Sequence, residues 1–418
     1  MPRRVWITGI GVVTPIGIGL DSFWAGLRAG RSPVKRIDRF DPSPFRSQVA
    51  AQVDDFEPTD HMDARTARQT DRFSQFGLAC GRLAIADAGL EVGRPRSPRA
   101  DRIAVYIGSA LGGIAYAEQQ HERYMERGIR SVAPNLALAV FGGAAPANLG
   151  IALGLHGPIL STANSCAAGA VAIGEALRLI RSGAADAALA GGVEVPLSPL
   201  AFGAFDIIRA LGAGHNDRPD RASRPFDSGR DGFVMGEGAA LLVLEEAEIA
   251  RRRGATPYAE LRGFAATSDA YHMVQPRPDG FQAARAARLA LADGGMKSAE
   301  VVYVNAHASS TPLGDAVEAR ALARALGPRA RTVAVSGTKG YYGHPLGASG
   351  AIEAAIGALA ISRGWAPGTV NLEQADERVL EFLPRVRHEA QEGAIGGVLS
   401  TSFGFGGLNG ALCLSTPR

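Results

Sequence analysis

Cysteine is scarce: there are three in 418 residues, Cys80, Cys166 and Cys413, an odd and scattered set. That offers no disulfide framework, and a reducing cytoplasm is the expected compartment. CxxC and HExxH patterns are missing, so no metal site is expected. No apolar run reaches membrane-spanning length. The opening MPRRVWITGIGVVTP is too short and too glycine-broken for a signal segment. Excess charge is missing too. A net charge of +3 gives no argument for nucleic acid as a partner, and no membrane is expected either. Aromatics are sparse at 6%.

What is present is apolar residues at 46%, charged residues at 20% and 53 glycines. The apolar and charged shares are ordinary for a soluble globular protein. The glycines suit close-packed helices and backbone-lined sites. The length allows one large domain or two.

The chain is organised around Ser161–Ser182, STANSCAAGAVAIGEALRLIRS. Apolar residues at Cys166, Ala170, Ile173, Leu177 and Ile180 fall at helical steps. Asn164 or Ser165 is a candidate N-cap and Gly183 a candidate stop. Cys166 then sits at a helix N-terminus, where free N–H groups and the helix dipole favour a thiolate. A lone cysteine is more often a small buried hydrophobe, so the rest of the chain must decide.

In order, Val5–Val13 reads as a buried strand. Gly9 and Gly11 hint at a dinucleotide loop, but Thr14 stands where a third glycine is needed, and a packing role is expected instead. Ala64–Ala88 carries one long helical pattern, cationic at Arg65, Arg68 and Arg72. Arg102–Gly108 is a strand, Pro134–Leu155 a buried helical region, and Asp186–Val193 another strand. This alternation predicts a parallel α/β sheet. Ser223–Glu237 is a charged loop before strand Gly238–Leu244. The main boundary is placed around 250–257, dividing the chain into 1–253 and 254–418. The second part repeats the alternation, with strands near 258–264, 301–305, 332–336 and 396–400 and helices between them.

Three strand ends in this second part carry polar or glycine-rich residues, where α/β sheets place their sites. These are Asn305–Thr311 (NAHASST), Ser336–His344 (SGTKGYYGH) and Thr401–Gly410 (TSFGFGGLNG). Two histidines, a lysine and a helix-start cysteine at strand ends make a candidate constellation.

The sequence resembles the elongating β-ketoacyl-acyl-carrier-protein synthases of the thiolase superfamily. The resemblance runs from RRVWITGIGVVTPIG through NSCAAG, SRPFDSGRDGFVMGEGA, SSTPLGD and TKGYYGHPLGASGAIEA to TSFGFGGLNGAL. It implies an α/β, thiolase-like, five-layered αβαβα fold built from two similar halves and active as a homodimer. Cys166 matches the family's nucleophile, and His307 and His344 its two histidines. Lys339 and Glu353 match the motif lysine and the helix glutamate. Phe405 matches the phenylalanine of the gating loop. Ser309 and Thr311 fall where hydroxyls bind the phosphopantetheine arm. Phe403 is carried over with them as substrate-binding, and Leu111 as the acyl-pocket floor. Arg65 and Arg68 fall where an acidic acyl-carrier protein docks.

The implied activity is acyltransfer by decarboxylative Claisen condensation. An acyl group on Cys166 joins malonyl-acyl-carrier protein to give a 3-oxoacyl product, in fatty-acid or polyketide-type synthesis. No cofactor is implied beyond the phosphopantetheine that the substrates carry. Asn164-Ser165, Ala308-Ser309, Tyr341-Tyr342 and Leu408 depart from the usual family residues and point to a specialised pathway. The alternative is a silent partner subunit of a ketosynthase heterodimer, which typically lacks the cysteine. A heterodimer with a related subunit stays open. A thiolase-like reading would need a second catalytic cysteine, and Cys413 in the strand-like ALCL run reads as core.

Overall fold

Val5–Thr14 (β1) is buried along its whole length, which a strand achieves only when both of its faces are covered. The computed structural model describes residues 3–92 and 97–418. After β1 the principal elements are Arg72–Asp87 (α1), Ile103–Gly108 (β2), Ala144–Leu153 (α2), Ile159–Thr162 (β3), Ala168–Arg181 (α3), Ala187–Glu194 (β4) and Gly238–Glu246 (β5). The second series is Ala259–Ser268 (β6), Phe281–Asp293 (α4), Tyr303–Ala306 (β7), Gly314–Leu326 (α5), Ala334–Gly337 (β8), Ser349–Arg363 (α6), Gly397–Gly404 (β9) and Leu408–Ser415 (β10).

The strands form one sheet in the order β8-β7-β9-β10-β6-β1-β5-β4-β2-β3. The two halves have the same internal order. Each has a parallel trio, β3-β2-β4 or β8-β7-β9, and an antiparallel remainder. The sheet is therefore mixed, not parallel as the strand–helix alternation suggests. β1 meets β6 at only two register pairs, Trp6–Glu260 and Ile7–Ala259.

The helices α3 and α6 each pack on strands of both halves and on each other. They are apolar nearly all round, and α6 is buried from Ser349 to Ile361. A helix of that composition has to be covered on every side. α1 and α2 cover the outer face of one half, and α4 and α5 that of the other. The outcome is five layers, α-β-α-β-α. Small residues make the close approach possible. A Cβ on Gly11 would lie 2.0 Å from the Cys80 carbonyl oxygen on α1, and one on Gly174 2.0 Å from the Phe264 ring. The glycines of β1 thus serve helix packing.

Two local expectations change. The Ala64–Ala88 pattern is two helices, Ala64–Gln69 and α1, because Asp71 leaves the helix to cap α1 through the Ser74 N–H. The region 134–155 is also two helices, Leu136–Ala139 and α2, and it is not fully buried. Leu138 is 70% and Ile151 81% exposed. No helix among the described residues is long and apolar enough to cross a membrane.

Candidate active site

Cys166 follows β3, His307 follows β7, Lys339 follows β8 and Phe405 follows β9. All four stand at C-terminal strand ends, and both halves of the sheet contribute to one place. Cys166 lies in a 3-10 turn, Ser165–Ala167, leading into α3. Neither expected cap side chain bonds the helix; Asn164 makes no such hydrogen bond. Gly183, at φ 81°, does end α3. Ser165 (φ 50°), Ala308 (φ 36°), Ser310 (φ 72°) and Leu346 (φ 32°) are non-glycine residues in the left-handed region. Each costs about 1–3 kcal/mol, and all flank the candidate residues.

The Cys166 Sγ lies 3.2 Å from His344 Nε2, and His344 Nδ1 lies 2.8 Å from Ser349 Oγ. The two imidazoles stand edge to face, 5.3 Å apart. Lys339 is fully buried with Glu353 as ion-pair partner. Its ammonium also donates to the His307 carbonyl oxygen and lies 3.5 Å from His307 Nδ1. Three protons thus face three acceptors. A cation beside Nδ1 leaves the His307 proton on Nε2.

Burial, then Lys339, holds both histidines well below the ordinary imidazole range, with His344 adding to the effect on His307. Burial raises the Glu353 carboxyl to about 8, against the pull of Lys339. Burial also pushes the Cys166 thiol up to about 11, offset in part by Ser165 and Lys339. Burial thus works against the thiolate that the helix start favours. His344 Nε2 is placed to take the proton. The Phe405 N–H bonds toward the sulfur. A Cβ on Gly404 would lie 3.0 Å from the Cys166 nitrogen, so a side chain there would push the β9 loop back by a few tenths of an ångström.

A cleft of about 280 Å³ opens on Cys166, His307 and His344, with Ser309, Thr311, Phe403 and Phe405 in its walls. Ser309 Oγ and Thr311 Oγ1 are 3.1 Å apart. Leu111 does not line this cleft. It packs against the apolar cluster that holds Cys166, Phe202, Phe233 and Leu346, part of which borders the cleft. Arg65 and Arg68 are exposed on the helix Ala64–Gln69, away from the cleft and without an ion pair among the described residues. Arg72 is different: it is paired with buried Glu237. Cys413 is buried core beneath α4, its thiol donating to the Ala290 carbonyl oxygen. Among the described residues no group of His, Cys, Asp and Glu could hold a metal ion.

The sequence reading missed two buried carboxylates. Glu318 accepts from the N–H groups of His307 and Ala308 and from the Thr401 hydroxyl. Glu194 accepts from Ala110, Leu111, Gly347 and Ser109. Burial lifts each to about 7. The signal was there: an acid inside the apolar stripe of α5, and another ending the apolar strand AALAGGVE. The loop Ser223–Glu237 was read as a connection, but it grips the site. Val234 accepts from the His344 N–H at 2.7 Å, and Ser223 Oγ donates to the Lys339 carbonyl oxygen.

Residues 2–250 match the family model described as β-ketoacyl synthase, N-terminal domain, and residues 258–373 match its C-terminal domain. The chain is 45% identical to the 3-oxoacyl-[acyl-carrier-protein] synthase 2 of Coxiella burnetii, covering 99% of this chain and 98% of that one. It is 43% identical to the synthase of the same name from Synechocystis, over 97% and 96%. Among solved structures, a ketosynthase bound to the hexaketide and in complex with its type II PKS acyl-carrier protein superposes with a TM-score of 0.91 at 31% identity, covering both chains in full. The ishigamide ketosynthase/chain length factor gives 0.90 at 33%, also over both full chains.

Proposed function

The chain belongs to the β-ketoacyl synthase family, and from that premise we propose that it condenses an acyl group held on Cys166 with malonyl-acyl-carrier protein, releasing carbon dioxide and 3-oxoacyl-acyl-carrier protein. The observation that carries the reading is the 3.2 Å contact between Cys166 Sγ and His344 Nε2, with His307 beside it in one cleft. The division of labour between residues 1–253 and 254–418 belongs to the same proposal. The first part supplies the nucleophile, and the second supplies the histidines, Lys339 and the glycine-rich loop.

In acyl transfer, Cys166 attacks the carrier thioester. The thiol proton passes to His344 Nε2 and then to the departing phosphopantetheine thiol. The oxyanion is held by the N–H groups of Cys166 and Phe405. Malonyl-acyl-carrier protein then enters, its arm bonded by Ser309 and Thr311 and flanked by Phe403. Loss of carbon dioxide leaves an enolate whose oxygen accepts from the Nε2–H groups of His307 and His344. The carbon attacks the acyl carbonyl, a C–C bond forms and the Cys166 thiolate leaves. The Ser349 hydroxyl can donate or accept, so His344 can carry its proton on either ring nitrogen as each step requires. Lys339, balanced by Glu353, fixes the His307 tautomer and stays out of the nucleophilic step.

No cofactor is needed beyond the carrier's own phosphopantetheine. The three buried free thiols suit a cytoplasmic protein. Arg65 and Arg68 form the docking face for the acidic carrier. A second copy of the chain covers the exposed edge of β3, where Ile159 is 45% and Leu160 38% exposed. The silent-partner reading is the weaker one, because cysteine, lysine and both histidines meet in one site. The deciding experiment is intact-mass measurement after incubation with acyl-carrier proteins. Wild type is expected to gain an acyl group and Cys166→Ala is not; a variant that is still acylated and still condenses overturns the nucleophile.

A further inference from the structure

Glu194 is buried to 0% exposure at the end of β4. No lysine, arginine or histidine forms an ion pair with it among the described residues. Its charge is met entirely by short donors. Oε2 accepts from the Ala110 N–H at 2.6 Å and the Gly347 N–H at 2.9 Å. Oε1 accepts from the Leu111 N–H and the Ser109 hydroxyl, each at 3.0 Å. Ser109 Oγ in turn accepts from the Gly112 N–H at 2.9 Å. One carboxylate therefore ties together two segments far apart in sequence. The first is the loop after β2, which carries Leu111. The second is the turn 346–348, which follows His344 and leads into α6. The segments touch: a Cβ on Gly347 would lie 2.5 Å from the Ala110 nitrogen and 2.6 Å from Glu194 Oε2.

Both segments face the apolar cluster around Cys166. Leu346 belongs to that cluster, and Ala110 and Leu111 pack against it. The open cleft shares Cys166, Phe233 and Leu346 with this cluster, but neither Ala110 nor Leu111 lines it. A substituent on the sulfur that does not lie in the cleft has to enter this cluster. The 109–112 loop and the 346–348 turn are two of the segments that bound it. Those are the segments Glu194 holds.

We propose that Glu194 is a positioning residue that limits how far the cluster beside Cys166 opens, and so sets the length of chain the thiol can carry. The inference rests on the reading of Cys166 as the acyl carrier, and it names the device that bounds the acyl group. Glutamine at this position keeps the shape. However, its amide –NH2 would face N–H donors, and the charge that holds four donors is gone.

The test uses the full chain and two thiol probes of unequal length, iodoacetamide and N-dodecyl iodoacetamide, with Cys166 modification followed by intact mass. General loosening would speed both probes together, so the readout is the ratio of the long-probe rate to the short-probe rate. Glu194→Gln is expected to raise that ratio about tenfold, the worth of a charged hydrogen-bond set. Ser109→Ala removes one donor and leaves the carboxylate, and is expected to raise it about threefold. If Glu194→Gln does not fold, Ser109→Ala decides alone. Folded variants with the wild-type ratio overturn the inference. The probes need no turnover, so wild type that takes no acyl group from any carrier protein refutes the condensing reading while the ratio still judges the clamp.

Discussion

At the residue scale, the site works by keeping its histidines neutral. An ordinary imidazole gains a proton as pH falls through about 6.5 and then both ring nitrogens are donors only. Here burial and Lys339 depress both values, so protonation is deferred to lower pH. His307 and His344 are therefore expected to contribute no loss of carbon dioxide release from malonyl-acyl-carrier protein as pH falls through about 6.5, any change nearer pH 7–8 belonging to Glu318 and Glu353. An inflection near the ordinary imidazole value would contradict this. His307→Ala should slow decarboxylation far more than acyl transfer, by about 10²–10³-fold for a lost oxyanion donor. Equal losses in single-turnover assays of the two half-reactions would refute the assignment. Lys339→Met leaves the Glu353 carboxyl buried without its partner, and Glu353 Oε2 already has no hydrogen bond. Without the ammonium the carboxyl stays protonated, and thermal or urea unfolding should register a loss of about 1–3 kcal/mol for a buried polar group left without its partner.

At the element scale, α1 lies on β1 with almost no clearance. Gly11→Ala places a methyl 2.0 Å from the Cys80 carbonyl oxygen, and backbone has to move to admit it. Urea denaturation should show a loss of about 1–3 kcal/mol or more. The short helix Ala64–Gln69 poses a different question, since its arginines contribute nothing visible to the fold. Reversing the charge of Arg65 and Arg68 should leave stability unchanged and weaken carrier-protein association, chiefly through a slower on-rate that salt also suppresses. Unchanged binding kinetics would reduce the two arginines to a solvated face.

At the scale of the whole molecule, the two halves share a strand order and a design. Each holds the loop after its second strand with a buried carboxylate that has no cationic partner among the described residues: Glu194 holds 109–111 and Glu318 holds 307–308. Ser310, further along the second loop, is held by Asp315 instead. The halves meet so that one brings the sulfur and the other the histidines, and neither alone is a complete site. The β3 edge, with Ile159, Leu160 and nearby Ile151, is where a second copy is expected. Leu160→Lys should shift the molecule toward monomer in analytical ultracentrifugation, because a charged edge strand resists pairing. A dimer of wild-type affinity would place the interface elsewhere.

The sequence by itself determined the elements and the chemistry at their ends. Strong periodicity, glycine stops and polar strand ends are local properties, and they place Cys166 at a helix start and His307, Lys339 and His344 at strand ends, while the family resemblance singles out Phe405. The ordered motifs also carried the layered fold, because their resemblance spans the chain. Only the tertiary structure decided which strands run antiparallel, since strand direction depends on pairing and not on composition. Only it showed how completely Cys166 is buried, because desolvation depends on what closes over the sulfur. It also separated Arg72, tied to Glu237, from Arg65 and Arg68, and placed Leu111 against the apolar cluster beside the thiol and not in the cleft wall. Glu194 and Glu318 stayed invisible for the same reason. An acid in an apolar run reads as an exception until the backbone donors that surround it, brought from distant segments, are in place.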